Sequence, residues 1–239
     1  MNSTIRQIRD ALRENIDEKT QKNFQRFFKE EVKYYGVKTI VVRKIANHFW
    51  KEIKACEKRD IYDLCEQLLI SDYSEEAYII SYWLPKMTRQ FEPEDWEIFK
   101  NWIDQYINNW AKCDSFCNHT MGNFLERFPR FIEELKEWTR LKNRWMRRAA
   151  AVSLIVPAKK GHFLKDVFEI ADRLLLDEDD LVQKGYGWLL KVTSHTHQEE
   201  VFDYVMRNKH HMPRTALRYA IEKMPQSLRE KAMKRTLSP

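Results

Sequence analysis

The densest cluster of chemically capable side chains lies between Asn109 and Gly122, where NWAKCDSFCNHTMG sets a tryptophan, two cysteines, an aspartate and a histidine within fourteen residues. Cys113 and Cys117 stand four apart and can share a helix face. A structural zinc site, however, takes four soft ligands and a catalytic one three. His119, Cys56 and Cys65 have no matching spacing, and on a helical wheel His119 projects away from Trp110. Buried reduced thiols are the simpler reading, so no metal and no other cofactor is expected. His195, His197, His210 and His211 read as surface residues, near phosphates or simply solvated. Ser115 lacks the glycine-flanked elbow of a serine nucleophile, and Gly185-Tyr186-Gly187 falls inside a helical pattern, where glycines permit close helix approach rather than cradle phosphate. Glu75 and Glu76 read as exposed carboxylates of a capping turn, not as a glycosidase acid pair.

A spaced constellation is left. Asp114 follows Trp110 by one helical turn, at the margin of a packed stripe made by Cys113, Phe116, Cys117, Thr120 and Phe124. Such shelter raises a carboxylate's proton affinity, whereas a neighbouring arginine lowers it, and the sequence leaves both open. Arg148 lies 38 residues after Trp110, Trp188 lies 40 after Arg148, and Phe27 lies 83 before Trp110. These intervals allow all four to occupy equivalent positions on successive repeats. Taken singly, each tryptophan is more commonly a packing residue and Arg148 more often a surface or structural charge.

The elements that must position them are helices. Apolar residues recur at i, i+3, i+4 and i+7 along nearly the whole chain, and the strand period of two never persists. Gly36 ends a first pair, Thr39 is placed to cap the next helix, Asp72 with Glu75 has capping-box spacing, and Pro93, Pro129 and Pro213 sit in first turns. Helix starts near Tyr73, Asn109, Asn143, Leu181 and Met212 are 36, 34, 38 and 31 residues apart. That recurrence predicts an all-α, HEAT-like repeat solenoid of about six helical hairpins, a single domain over 1–239, with a concave basic groove as its binding surface. The tetratricopeptide pattern of Trp, Gly and Tyr is absent.

Composition agrees. Five glycines in 239 residues disfavour folds built on tight turns, and four cysteines without a CxxC make no disulfide framework. No apolar run reaches the roughly 18 residues of a membrane span, and the charged start is no signal peptide, so a soluble, cytoplasmic, monomeric protein is expected. The net charge of +6 is unevenly spread: KEWTRLKNRWMRR (136–148) holds six basic residues against one acidic, and 205–239 nine against two. Clustered positive charge is the footprint of a polyanion, although each patch by itself reads equally well as a solvated helix face.

At these residues the chain resembles the AlkD-like DNA alkylation repair glycosylases. The likeness runs from Arg26-Phe27-Phe28-Lys29 and Tyr35-Gly36-Val37-Lys38-Thr39 to Met212-Pro213-Arg214. Its most specific pieces are Trp110-x-x-x-Asp114-Ser115, Asn143-x-Trp145-x-x-Arg148-Ala149-Ala150 and Gln183-Lys184-x-x-Gly187-Trp188. The resemblance implies a base-excision enzyme that removes cationic N3- or N7-alkylated bases from double-stranded DNA and sits with the nucleoid. Asp114 would be the catalytic carboxylate, Trp110 and Trp188 the aromatic walls, and Arg148 a grip on the DNA backbone. Phe27, Arg144, Lys184, Lys191, Arg214 and Arg218 would complete the nucleic-acid contacts. Phe27 stands where relatives often carry tyrosine, and Lys191 where arginine is common, which keeps the charge but loses a bidentate fork. The alternative is a non-catalytic solenoid that binds DNA architecture, RNA or a protein.

Overall fold

A computed structural model describes residues 2–234, and within them the regular structure is α-helix with short 3₁₀ and π turns, joined by loops, the segment 28–38 among them, with one isolated bridge between Lys33 and Tyr73. It forms two compact units, divided between Thr120 and Met121. The first contains α1 (Asn2–Glu14), α2 (Glu18–Phe24), α3 (Thr39–Ile53), α4 (Lys58–Ile70), α5 (Ser74–Trp83), α6 (Asp95–Tyr106) and α7 (Trp110–Phe116). The second contains α8 (Gly122–Arg127), α9 (Ile132–Glu137), α10 (Arg144–Val152), α11 (Ile155–Lys159), α12 (Leu164–Arg173), α13 (Asp180–Thr193), α14 (Gln198–Asn208), α15 (Arg214–Ile221) and α16 (Gln226–Met233).

The repeat is more regular in the structure than in the sequence. The residues preceding α3, α5, α7, α10, α13 and α15 are Lys38, Tyr73, Asn109, Asn143, Asp179 and Pro213, at intervals of 35, 36, 34, 36 and 34. Within each unit, helices one repeat apart lie side by side. In the first unit α3 packs on α5 and α5 on α7, with α4 against α5 and α6; in the second, α10 packs on α13 and α13 on α15, with α12 and α14 against α13. Within each unit a hairpin thus buries its apolar face on the next, which is why a repeat fold needs several copies to be stable.

Side-chain caps set three of these six starts. Asn109 accepts from the Lys112 amide at 3.0 Å, Asn143 from Trp145 at 2.9 Å, and Asp179 from Leu181 and Val182 at 2.9 and 3.3 Å. Each satisfies amide donors that the helix itself leaves open. Thr39 is instead the first residue of α3, and Lys38 precedes it without a side-chain cap.

Two sequence expectations about the α5 turn are overturned. Asp72 and Glu75 form no capping box: Tyr73 is the N-cap residue, and Asp72 takes a left-handed φ of 67°. Glu75 and Glu76 are fully buried, not exposed. The Glu75 carboxylate accepts from the backbone amides of Tyr35, Gly36 and Val37 at 3.0, 2.8 and 3.1 Å, while Glu76 takes Arg9 at 3.1 Å and the Tyr35 hydroxyl at 2.7 Å. Together they anchor the segment that carries Gly36, whose φ of +92° and contact with Gln21 leave no room for a side chain.

Candidate nucleic-acid interface

In the first unit the structure gathers Phe27, Trp110 and Asp114. The wheel placed Cys113, Phe116, Cys117, Thr120 and Phe124 on a packed stripe, and all five are buried. Trp110 and Asp114 are half-buried at its edge, on the same side of α7 one turn apart. The α-helix ends at Phe116 and runs into a π turn over Cys117–Met121, which no pattern in the sequence announced.

Two sets of contacts fix α7. Its start is tied down by Lys112, 2% exposed, whose ammonium donates to the Asp72 carboxylate at 2.6 Å, the Asp72 carbonyl at 2.8 Å and Asn108 at 3.0 Å. Burial lowers the proton affinity of that amine, and Asp72 offsets the effect. Trp110 donates its indole N–H to the Phe27 carbonyl at 3.2 Å and stacks on Phe28, the ring centroids 5.4 Å apart. Along the helix from these, Asp114 lies close enough to Tyr78 of α5 to contribute to that phenol's raised proton affinity, whose largest cause is burial, followed by the charge of Glu75. Phe28, Tyr78 and Lys112 were not singled out in the sequence. Lys112 could have been, as a lysine inside an otherwise apolar and cysteine-lined turn. Phe28 is 82 residues from Trp110 and entered only as part of the Arg26-Phe27-Phe28-Lys29 segment, with nothing in the sequence to pair it with Trp110. Phe27 is 64% exposed.

The second unit holds Arg144, Arg148, Lys184, Trp188, Lys191, Arg214 and Arg218 on α10, α13 and α15. Gly187 lets α13 and α15 approach, since a Cβ there would lie 2.7 Å from Tyr219 Cβ and 2.8 Å from the Ala216 carbonyl oxygen. A Cβ added at Gly185 would meet only side chains at ordinary contact distance, the nearest being Arg148 Cγ at 3.4 Å. Arg148 is 5% exposed and donates to the Leu181 carbonyl, so it braces α10 on α13. Trp188 is half-buried.

The basic run 136–148 proves to be largely structural. Lys136, 3% exposed in its side chain, is held by Glu133, Asp166 and Glu169 at 2.7, 2.8 and 2.6 Å. Arg144 pairs with Asp179 at 3.3 Å and lies over the Trp145 ring, and Arg147 pairs with Asp177 at 2.6 Å. Lys184 pairs with Asp180 at 3.1 Å, and Lys191 with Glu222 at 2.9 Å while lying over the Tyr219 ring. Arg214 and Arg218 are exposed. A cleft of about 590 Å³ between α4 and α6, lined by Lys58, Tyr62, Glu66, Asp95 and Trp102, contains none of the residues singled out from the sequence. Among the described residues no group of three or more His, Cys, Asp or Glu could hold a metal ion, and no helix is long and apolar enough to cross a membrane.

The family model described as DNA alkylation repair enzyme matches residues 8–224, a span that includes every residue gathered above. The chain belongs to this DNA alkylation repair enzyme family. A solved structure from Enterococcus faecalis, described as a predicted DNA alkylation repair enzyme, has the same fold with a TM-score of 0.78, covering 89% of this chain and 98% of its own at 16% identity. No curated protein matches the chain. Membership makes it an enzyme of DNA repair, with DNA as its substrate.

Proposed function

We propose that this repair enzyme is a monofunctional, HEAT-like DNA glycosylase that hydrolyses the N-glycosidic bond of cationic N3- or N7-alkylated purines in duplex DNA. The observation that carries the reading is Asp114 one turn beyond a pinned Trp110, both half-buried, in a chain of this family. Alkylation at N3 or N7 already places positive charge on the base, so the departing purine needs no protonation and no general acid is required. As the C1′–N bond breaks, its electron pair leaves with the base and positive charge moves to the deoxyribose. A fixed, partly dehydrated carboxylate stabilises that charge more strongly than water can. Asp114 also orients the water whose oxygen bonds to C1′ and accepts its proton. The indole face of Trp110 offers negative quadrupole density to that electron-poor sugar, and Trp188 is the aromatic residue that the second unit contributes to the reading.

Phe27 contributes apolar contact, and Arg144, Arg148, Lys184, Lys191, Arg214 and Arg218 serve the phosphates, Arg148 through the small edge that remains exposed. Such contacts make affinity fall steeply with salt. The protein acts as a monomer in the cytoplasm, with the nucleoid. Purified protein is expected to release 7-methylguanine and 3-methyladenine from methylated duplex. Asp114→Asn is expected to slow release roughly a hundred- to thousandfold while duplex binding persists. No release from methylated duplex by the unaltered protein would overturn the reading.

A further inference from the structure

Trp110 does not stand by itself. Its ring is the last of four stacked in near-parallel succession: Tyr34 on Phe24 at 4.5 Å and 25°, Phe24 on Phe28 at 5.2 Å and 26°, and Phe28 on Trp110 at 5.4 Å and 22°. All four rings are half-buried, so the ladder runs along the surface of the first unit rather than through its core. The 3₁₀ turn Gln25–Phe27 leads directly to Phe28, and the carbonyl of Phe27 accepts the Trp110 indole N–H at 3.2 Å. The turn is itself tethered, since Gln25 donates to the Glu30 carbonyl at 2.7 Å and accepts from the Val32 amide at 3.2 Å.

A hydrogen bond at one edge and a stacked ring on one face remove both rotational freedoms of an indole. An edge bond by itself lets the ring swing about the N–H direction. A stack by itself lets it slide and spin in its plane. Here the two come from adjacent residues of one tethered turn, 82 and 83 positions away from Trp110 in the chain. Offset stacking of this kind has a definite geometric preference.

We propose that Phe28 is a positioning residue of the enzyme: with the Phe27 carbonyl it holds the Trp110 indole in one plane, occupies one of its faces and leaves the opposite face for the substrate. The proposal deepens the glycosylase reading and rests on it for its kinetic consequence, but not for its structural one. A wall whose plane is set before DNA arrives stabilises the transition state without reorganising, and its effect belongs in the chemical step rather than in binding.

The test compares Phe28→Leu, which keeps apolar bulk but removes the ring, with Phe28→Tyr, which keeps the ring. Single-turnover release of 7-methylguanine from duplex DNA is expected to fall roughly three- to tenfold in Phe28→Leu and to recover in Phe28→Tyr. Duplex affinity is expected to stay within about twofold. The double variant Phe28→Leu/Trp110→Ala is expected to be no slower than Trp110→Ala, because the ring acts through the indole. A normal rate in Phe28→Leu, or losses that multiply in the double variant, overturns the proposal. A second arm reads position without activity: in protein labelled with 5-fluorotryptophan, the Trp110 fluorine resonance, assigned with Trp110→Phe, is expected to shift and broaden in Phe28→Leu and to hold in Phe28→Tyr. If the unaltered protein releases no base, the glycosylase reading fails and this arm still decides the positioning claim. An unchanged fluorine resonance in Phe28→Leu overturns it.

Discussion

Replacing Glu75 with glutamine changes one atom of the side chain, and the structure says why that atom matters. One carboxylate oxygen accepts from the amides of Gly36 at 2.8 Å and Val37 at 3.1 Å; the other accepts from Tyr35 at 3.0 Å. A glutamine can present its carbonyl oxygen to the first two donors, but its NH₂ group then faces the Tyr35 N–H. In the flipped orientation it loses two acceptances instead of one. A hydrogen bond to a charged group contributes about 1.5–3 kcal/mol and an orphaned buried donor costs about 1–3 kcal/mol, so Glu75→Gln is expected to destabilise by about 2–4 kcal/mol. Glu75→Ala leaves all three amides without their acceptor and opens space, and about 3–5 kcal/mol is expected once entering water offsets part of the loss. Urea unfolding followed by far-ultraviolet circular dichroism measures both, read as a lower midpoint at unchanged slope. A cost below about 1 kcal/mol for the glutamine variant would refute the claim that this carboxylate is the acceptor for the 35–37 segment.

The two glycines of α13 are expected to respond with opposite severity. Gly187→Ala forces a methyl against Tyr219 Cβ and the Ala216 carbonyl at 2.7–2.8 Å and is expected to cost about 1–3 kcal/mol. Gly185→Ala meets only the movable Arg148 side chain and gains helix propensity, so thermal denaturation should find it close to neutral. Asp17, bonded first by Lys38 and then by Thr20, titrates at about 2 rather than at its ordinary 3.8. Because the folded value is the lower one, its stabilisation is present above about pH 4 and is lost as pH falls toward 2. A carboxyl chemical-shift titration centred near 3.8 would contradict that pairing. Glu222→Gln should release Lys191 toward DNA, tightening duplex binding and steepening the log–log salt dependence by about 0.9. Anisotropy titrations across a salt series measure the slope, and an unchanged value would show that the ion pair does not withhold Lys191 from phosphate.

Periodicity was enough to read the all-α class, the repeat near 35 residues and the buried stripe of α7, whereas the caps expected at Thr39 and at Asp72 with Glu75 did not form. The class and the stripe depend on residues within a turn or two of each other, and the repeat on the recurrence of such local patterns. The relation of Trp110 to Asp114 was legible for the same reason: four residues on a helix is a fixed displacement. Sequence reasoning went astray at Glu75 and Glu76, because an acidic pair at a helix start is ordinarily solvated, and only the packing of 35–37 against α5 gives them donors. It was undecided on 136–148 because the counter-ions lie elsewhere in the chain: Lys136 finds Asp166 and Glu169, Arg144 finds Asp179, and Arg147 finds Asp177.

By itself, then, the sequence determined which side chains are carried on which helices and with what local geometry, since backbone hydrogen bonding dictates those displacements whatever the surroundings. Tertiary structure decided which charges are already neutralised and which ring meets Trp110. Such pairings join residues tens of positions apart, and their energies depend on the distance, burial and partner that only packing supplies.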